Sequence, residues 1–191
     1  MSETANEPDM LVRGVSLFAL REYMRTKLEG GSLKAFLSPL SDDDKQAILN
    51  VEKAEWYPFD LQKKMRELIV RKYNPLDPEQ AVFDACIYTA EYEMSTFLRA
   101  IMNFLPAKLV FKQTATVWNK YYSRGVMQTI AGDKKAVLEL KDFPADKLFG
   151  PVVTAWLTVA ARMLELNDVL IRQTGNIHKG DECWRWEAEW K

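Results

Sequence analysis

Cys183-Trp184-Arg185-Trp186-Glu187-Ala188-Glu189-Trp190 is the stretch on which the fold turns. Its period is two, as a strand requires, because successive side chains point to opposite faces. Trp184, Trp186, Ala188 and Trp190 share one face, and Cys183, Arg185, Glu187 and Glu189 share the other. Each indole buried there removes roughly 150–250 Å² from water, and its N–H then needs an acceptor. Three uses of such a face are open: sheet core against helices, a dimer surface, or the wall of an apolar pocket.

Upstream, Val169 to Gln173 forms a second strand across a loop running from Gly175 to Gly180. Pro151 to Leu166 is an apolar helix carrying Val152, Val153, Trp156, Leu157, Val159, Met163 and Leu164. It falls short of the ~20 apolar residues a bilayer span needs and is interrupted by Arg162 and Glu165. Before it, Val126–Ala131 and Ala136–Lys141 alternate on either side of Gly132-Asp133-Lys134-Lys135, a hairpin turn.

Ahead of Gly125 the period is helical. Residues 1–9 read as a flexible tail. From residue 10 apolar positions recur at helical spacing: Val15 to Leu28 before Gly30-Gly31, a short turn at Ser32–Leu37, and a helix capped by Ser41 with Asp42, Asp43 and Asp44 at its positive end. Trp56-Tyr57-Pro58-Phe59 breaks the pattern, and Asp60 then caps a helix bearing Leu61, Met65, Leu68 and Ile69. Asp77-Pro78 opens the longest helix, whose stripe runs through Val82, Cys86, Ala90, Met94, Phe97 and Ile101. After Pro106, Phe111, Ala115, Trp118 and Tyr122 make one further stripe. The expected architecture is α+β: an N-terminal layer of about six helices, then a small antiparallel sheet of two hairpins with an inserted apolar helix (ββαββ). Residues 10–191 are expected to form a single domain.

Twenty-six basic and 27 acidic side chains leave a formal charge of -1, so no global field draws the chain to nucleic acid or to an anionic membrane. The run from Arg99 to Arg124 mixes cations with aromatics, but the aromatics follow the helical stripe and the cations fall elsewhere, as on a docked helix with a solvated face. Two cysteines are too few for a disulfide framework, and the first residues lack a signal-peptide layout, so a cytoplasmic location is expected.

Catalytic chemistry finds little support. Asp42-Asp43-Asp44 and Glu91-x-Glu93 stand where helix starts and solvated faces expect charge. His178 is the only histidine and lies in a glycine-bounded loop, and neither a G-x-S-x-G elbow nor a phosphate-cradling glycine loop occurs. Cys86, Cys183 and His178 are the only soft ligands, too few for structural zinc without a carboxylate. No catalytic residue, metal site or cofactor is expected.

The sequence also carries a resemblance. Phe111 to Gly125 reads F-K-Q-T-A-T-V-W-N-K-Y-Y-S-R-G, followed by F-G-P-V-V-T-A-W-L at 149–157 and G-D-E-C-W-R-W-E-A-E-W at 180–190. From about Ala107 to Trp190 this resembles the fold shared by 4-vinyl reductase domains, TRAPP vesicle-trafficking subunits and haem-NO-binding-like sensors. Most specifically it resembles an uncharacterised bacterial family abundant in myxobacteria. The resemblance implies a sensory, ligand-binding or assembly module, often dimeric, with an apolar cavity between helices and sheet. The haem-binding branch uses a helical histidine and a Tyr-x-Ser-x-Arg signature. Here no helical histidine exists, and Tyr121-Tyr122-Ser123-Arg124 misses the spacing, so haem is not carried over. Only Cys183 stands where the reductase branch bears several cysteines.

These readings lead to a non-catalytic regulatory module, not an enzyme, that binds a small apolar ligand between the long helix and the tryptophan-bearing sheet. Phe97, Ile101, Trp118, Tyr122, Trp156 and Trp186 are the expected lining. A cavity of about 300 Å³ or more is the usual size of such a site. The alternative is a homodimer or protein-interaction scaffold of TRAPP-subunit type, using the helix from Val152 to Leu166 or the final strand.

Overall fold

The computed structural model describes residues 10–28, 31–102 and 106–191, and the side chains of all of these except 95–102. The expected tail at 1–9, and Gly30 of the expected helix stop, lie outside the described residues. The fold is α+β, with eight α-helices and two small antiparallel sheets among the described residues.

Strand β1 (Leu11–Arg13) runs directly into helix α1 (Gly14–Thr26). Two shorter helices follow, α2 (Leu33–Phe36) and α3 (Asp42–Leu49). The Ser32 and Ser41 hydroxyls cap them by accepting from the Ala35 and Asp44 amides at 3.1 and 3.2 Å. Trp56-Tyr57-Pro58 does not merely break a helix: it is strand β2 (Trp56–Pro58), antiparallel to β1 with Val12 opposite Tyr57. Helix α4 (Phe59–Tyr73) then starts one residue before Asp60, which therefore sits inside the first turn and not at the cap.

Helix α5 (Pro78–Met102) begins as expected, with Asp77 Oδ1 accepting from the Gln80 amide at 3.1 Å. Val82, Cys86, Ala90 and Met94 of its stripe are buried. The expected single stripe after Pro106 is two helices, α6 (Ala107–Lys112) and α7 (Thr114–Tyr121), which meet at Gln113. This division, in which the Thr114 hydroxyl donates back to the Phe111 carbonyl at 2.8 Å, brings the N-terminal layer to seven helices instead of about six.

The second sheet is the expected ββαββ unit: β3 (Val126–Ala131), β4 (Lys135–Lys141), α8 (Phe149–Met163), β5 (Leu170–Gly175) and β6 (Trp184–Glu189). Its order is β3-β4-β6-β5, so the tryptophan strand β6 is central, with Leu138 opposite Trp186 and Leu140 opposite Trp184. Trp184, Trp186, Ala188 and Trp190 are all buried against the helices. Cys183 departs from the alternation and is buried too, just ahead of the strand.

This order corrects one element of the scaffold expectation, pairing through the final strand. Both edges of β6 are already paired within the chain, so the final strand has no free edge for a copy of itself. Helix α8 buries Val152, Val153, Ala155, Leu157, Val159 and Ala161 and packs chiefly on α5, so its apolar face is covered as well. No described helix is long and apolar enough to cross a membrane.

Candidate ligand cavity

Two close approaches bring the cavity walls together. Gly150 lets α8 lie on β5, since a Cβ there would meet Gln173 Oε1 at 2.1 Å. Gly125, at φ +92°, turns the chain from α7 into β3 while Leu140 and Phe143 stand 3.0 Å from where its Cβ would be. Only glycine adopts that backbone without cost. Beside this turn Trp118 Nε1 donates to the Arg124 carbonyl at 3.0 Å, and the ring stacks on Tyr122 at 4.4 Å. Phe59, Phe143, Phe149 and Trp184 extend these contacts into one aromatic cluster.

Between these walls lies a cavity of about 120 Å³. Met94 of α5, Val117, Trp118 and Tyr121 of α7, Met127 of β3, Leu138 of β4, and Val153, Trp156, Leu157 and Ala160 of α8 line it, with Ser16 of α1 at one side. The cavity is smaller than the ~300 Å³ at the low end of ordinary ligand sites. Of the six residues expected from the sequence, Trp118, Tyr122 and Trp156 line it. Trp186 is fully buried behind it, stacked on Trp184 at 6.2 Å, and does not reach it. Phe97 and Ile101 stand on α5 beyond Met94, and their side chains lie outside the described residues. Met127 and Leu138 were missed, although the alternation of β3 and β4 assigns both to the inner face.

The largest departure concerns Glu91-x-Glu93. Residues two apart on a helix face different ways. Glu91 is exposed, 3.7 Å from Arg162. Glu93 is only half-buried as a residue, yet its Oε2 has no contact with solvent and no hydrogen-bond partner. Burial pushes the Glu93 carboxyl up to about 8, against the opposing pull of hydrogen bonds from Ser16 and Trp156, two residues of the cavity wall. Burial likewise raises Tyr121 and Tyr122 well above the ordinary phenol range, with the Glu93 charge adding to both.

Elsewhere, buried Arg66 pairs with Asp146, donates to Gln62 Oε1 at 2.9 Å and lies over the Phe59 and Phe149 rings. His178 occupies a 3-10 turn (Ile177–Lys179), its Nε2 2.7 Å from the Ala145 carbonyl and its ring edge-on to Trp184. It borders a different cleft, with Asp60 and Asp146. Among the described residues no group of three or more His, Cys, Asp or Glu side chains converges as a metal site would require.

The architecture is that of H-NOX proteins. An H-NOX protein from S. oneidensis in the Fe(II)NO state superimposes with a TM-score of 0.72 at 11% identity, over 94% of this chain and 99% of that one. A variant of the S. oneidensis protein in the Fe(II) state gives 0.75 at 12% identity, over 94% and 96%. An unliganded Fe(II) H-NOX protein from K. algicida gives 0.66 at 2% identity, over 94% and 96%. At such identities the likeness is one of fold. No family model matches the sequence, and no curated protein matches it. The expected kinship is corrected accordingly: the solved structures found are H-NOX proteins, not 4-vinyl reductases or TRAPP subunits, and no family match supports the myxobacterial family.

The cofactor named with that fold does not fit the residues present. Haem iron takes an axial His, Cys thiolate, Met or Tyr. The single histidine faces another cleft. The Cys86 thiol is buried and pushed up to about 12, which disfavours a thiolate, and the two cavity tyrosines are held as neutral phenols. Methionine ligates haem iron alongside a histidine in the cytochromes c, and no histidine stands with Met94 and Met127 in the cavity lining. A void of about 120 Å³ is also too small for a macrocycle.

Proposed function

We propose that this chain is a non-catalytic sensory or regulatory module that takes up one small apolar molecule of about benzene size, without haem. The observation that carries the reading is the nearly all-carbon lining of a void of about 120 Å³ between α5, α7, α8 and the sheet. Apolar cavities near 150 Å³ stay dry and take up benzene or xenon, so the size suits a single small ring or gas. Two of the H-NOX neighbours are described in Fe(II)NO and Fe(II)CO ligation states; those ligands sit on iron, so the likeness supports a ligand-taking role for the fold and not the identity of this cavity's guest. In this reading Trp118, Tyr122 and Trp156 are walls, and Phe97 and Ile101 on α5 are their candidate companions.

Thermal unfolding with and without saturating toluene tests the reading. A ligand at 100 times its Kd stabilises by about 2.7 kcal/mol, which in a chain of this size raises Tm by about 5–10 °C. An unchanged Tm together with unchanged tryptophan fluorescence refutes it.

A further inference from the structure

The second sheet has two edges, and they are built differently. Strand β5 is blunted by the exposed Arg172 and by a break of register between Gln173 and Gly175, two devices that keep sheet edges from joining. Strand β3, at the other edge, reads Val126-Met127-Gln128-Thr129-Ile130-Ala131, without a charge, a proline or a bulge. Its outward side chains are Val126, 49% exposed, Gln128 and Ile130, 76% exposed. Elsewhere the same face is closed on itself by ion pairs, from Lys135 to Glu187 and Glu189 and from Arg185 to Glu139. Helices α6 and α7 reach β3 from its inner side, where the Thr114 and Thr129 hydroxyls meet, and no described strand pairs with its far edge.

Backbone polarity fixes how that edge can be used. The Gly132 amide donates to the Lys135 carbonyl at 2.7 Å, and hydrogen-bonded pairs alternate along an antiparallel ladder. Val126, Gln128 and Ile130 therefore turn their amides and carbonyls to β4, while Met127, Thr129 and Ala131 turn theirs to the free edge. A second β3 laid antiparallel about Gln128 exchanges hydrogen bonds between Met127 of each copy and Thr129 of the other. It also sets Val126 of each against Ile130 of the other, in the non-hydrogen-bonded pairs where side chains come closest. Val137, opposite Ile130 on β4, extends each of these pairs to three branched apolar residues. The strand is its own complement, with β-branched partners at both ends, two amides at the centre and no like charges facing. We infer that β3 is a homodimer edge that joins the four-stranded sheets of two copies of this chain into one. A two-fold axis uses up this edge in both copies, so assembly stops at two.

Sedimentation velocity of the full chain over a concentration series reaching the high micromolar range should show a dimer. Ile130→Lys changes an exposed side chain and places a lysine at both ends of the paired strands. It should keep the circular dichroism spectrum and weaken dimerisation about 10-fold or more. Opposed residues in a non-hydrogen-bonded pair have Cα atoms about 4.5 Å apart, inside the roughly 4.4–6.8 Å span of a disulfide. Gln128→Cys should therefore give a covalent dimer on mild oxidation, whereas Arg172→Cys on β5 should not; the natural Cys86 and Cys183 are buried and do not interfere. A chain that stays monomeric throughout overturns the inference, as does a dimer that Ile130→Lys leaves intact or that Gln128→Cys fails to cross-link. Should Ile130→Lys fail to fold, the Gln128→Cys cross-link decides alone.

Discussion

Glu93 makes stability depend on pH in an unusual direction. Its carboxyl ionises at about 8 in the folded chain, because burial penalises the charge, against an ordinary value of 4.5 when unfolded. Between those values the folded state holds a proton that the unfolded state has released, so stability falls as pH rises. The contribution is fully present below about 4.5 and fully lost above about 8. At ~1.4 kcal/mol per pH unit the ceiling is ~5 kcal/mol, and relaxation with water access around a half-buried residue lowers it to ~2 kcal/mol. That corresponds to a Tm lower by about 4–8 °C at pH 8.5 than at pH 5. The opposing groups act outside this window. Glu139 and Glu187 are held below the usual carboxylate range by hydrogen bonds from Arg185 and Lys135, and Tyr121 and Tyr122 ionise well above it. The assay is thermal unfolding followed by circular dichroism from pH 5 to 9 at fixed ionic strength, for the natural chain and for Glu93→Gln. The natural chain should lose stability towards pH 8.5 and the variant should stay nearly level. Parallel profiles would refute a buried, strained carboxyl.

Gly14→Ala should destabilise by about 2 kcal/mol or more in urea unfolding, because the added Cβ would stand 2.0 Å from the Glu52 carbonyl where β1 becomes α1. Asp146→Ala should cost about 3 kcal/mol by leaving the Arg66 guanidinium buried beside aromatic rings without its partner, and adding Arg66→Met should restore most of it. Ala160→Leu, which fills the cavity from α8, should abolish toluene binding while holding or raising Tm.

The sheet and its helix were legible because their signals are local. Strand β3 falls at Val126–Ala131 as the alternation requires, and β6 shows its indoles to the core. What escaped depends on partners distant in sequence. Each strand of the β1–β2 pair has three residues, too few to display a period, and the register joins Val12 to Tyr57. The pairing of β4 with β6 spans the whole of α8 and β5, and no stretch of sequence encodes it. Three of the six residues expected to bind a ligand border the cavity, for a similar reason. Helical spacing places Trp118 and Trp156 inward, but it cannot distinguish a residue that borders a void from one, like Trp186, that fills the layer behind it. Glu93 was hidden by its neighbour: a charged pair reads as a solvated face, and only packing against α1 and α8 reveals that one member turns inward.

The cavity and the carboxyl are both expensive features in a core that is otherwise closely filled by aromatic rings. A partly open pocket of about 120 Å³ leaves its apolar walls without full packing, and the unmatched Glu93 oxygen adds about 1–3 kcal/mol. A single larger side chain at Ala160 or a leucine at position 93 would remove one cost or the other, and selection for stability alone would readily find such changes. The two costs also meet at shared residues, Ser16 and Trp156, instead of being scattered through the fold. An apolar pocket kept unfilled where α5, α7, α8 and the sheet meet is what a site needs in order to hold a guest that supplies the missing volume. If the pocket takes a guest, saturating toluene should raise the Tm of the natural chain and leave that of Ala160→Leu unmoved, because the mutation has already supplied the volume.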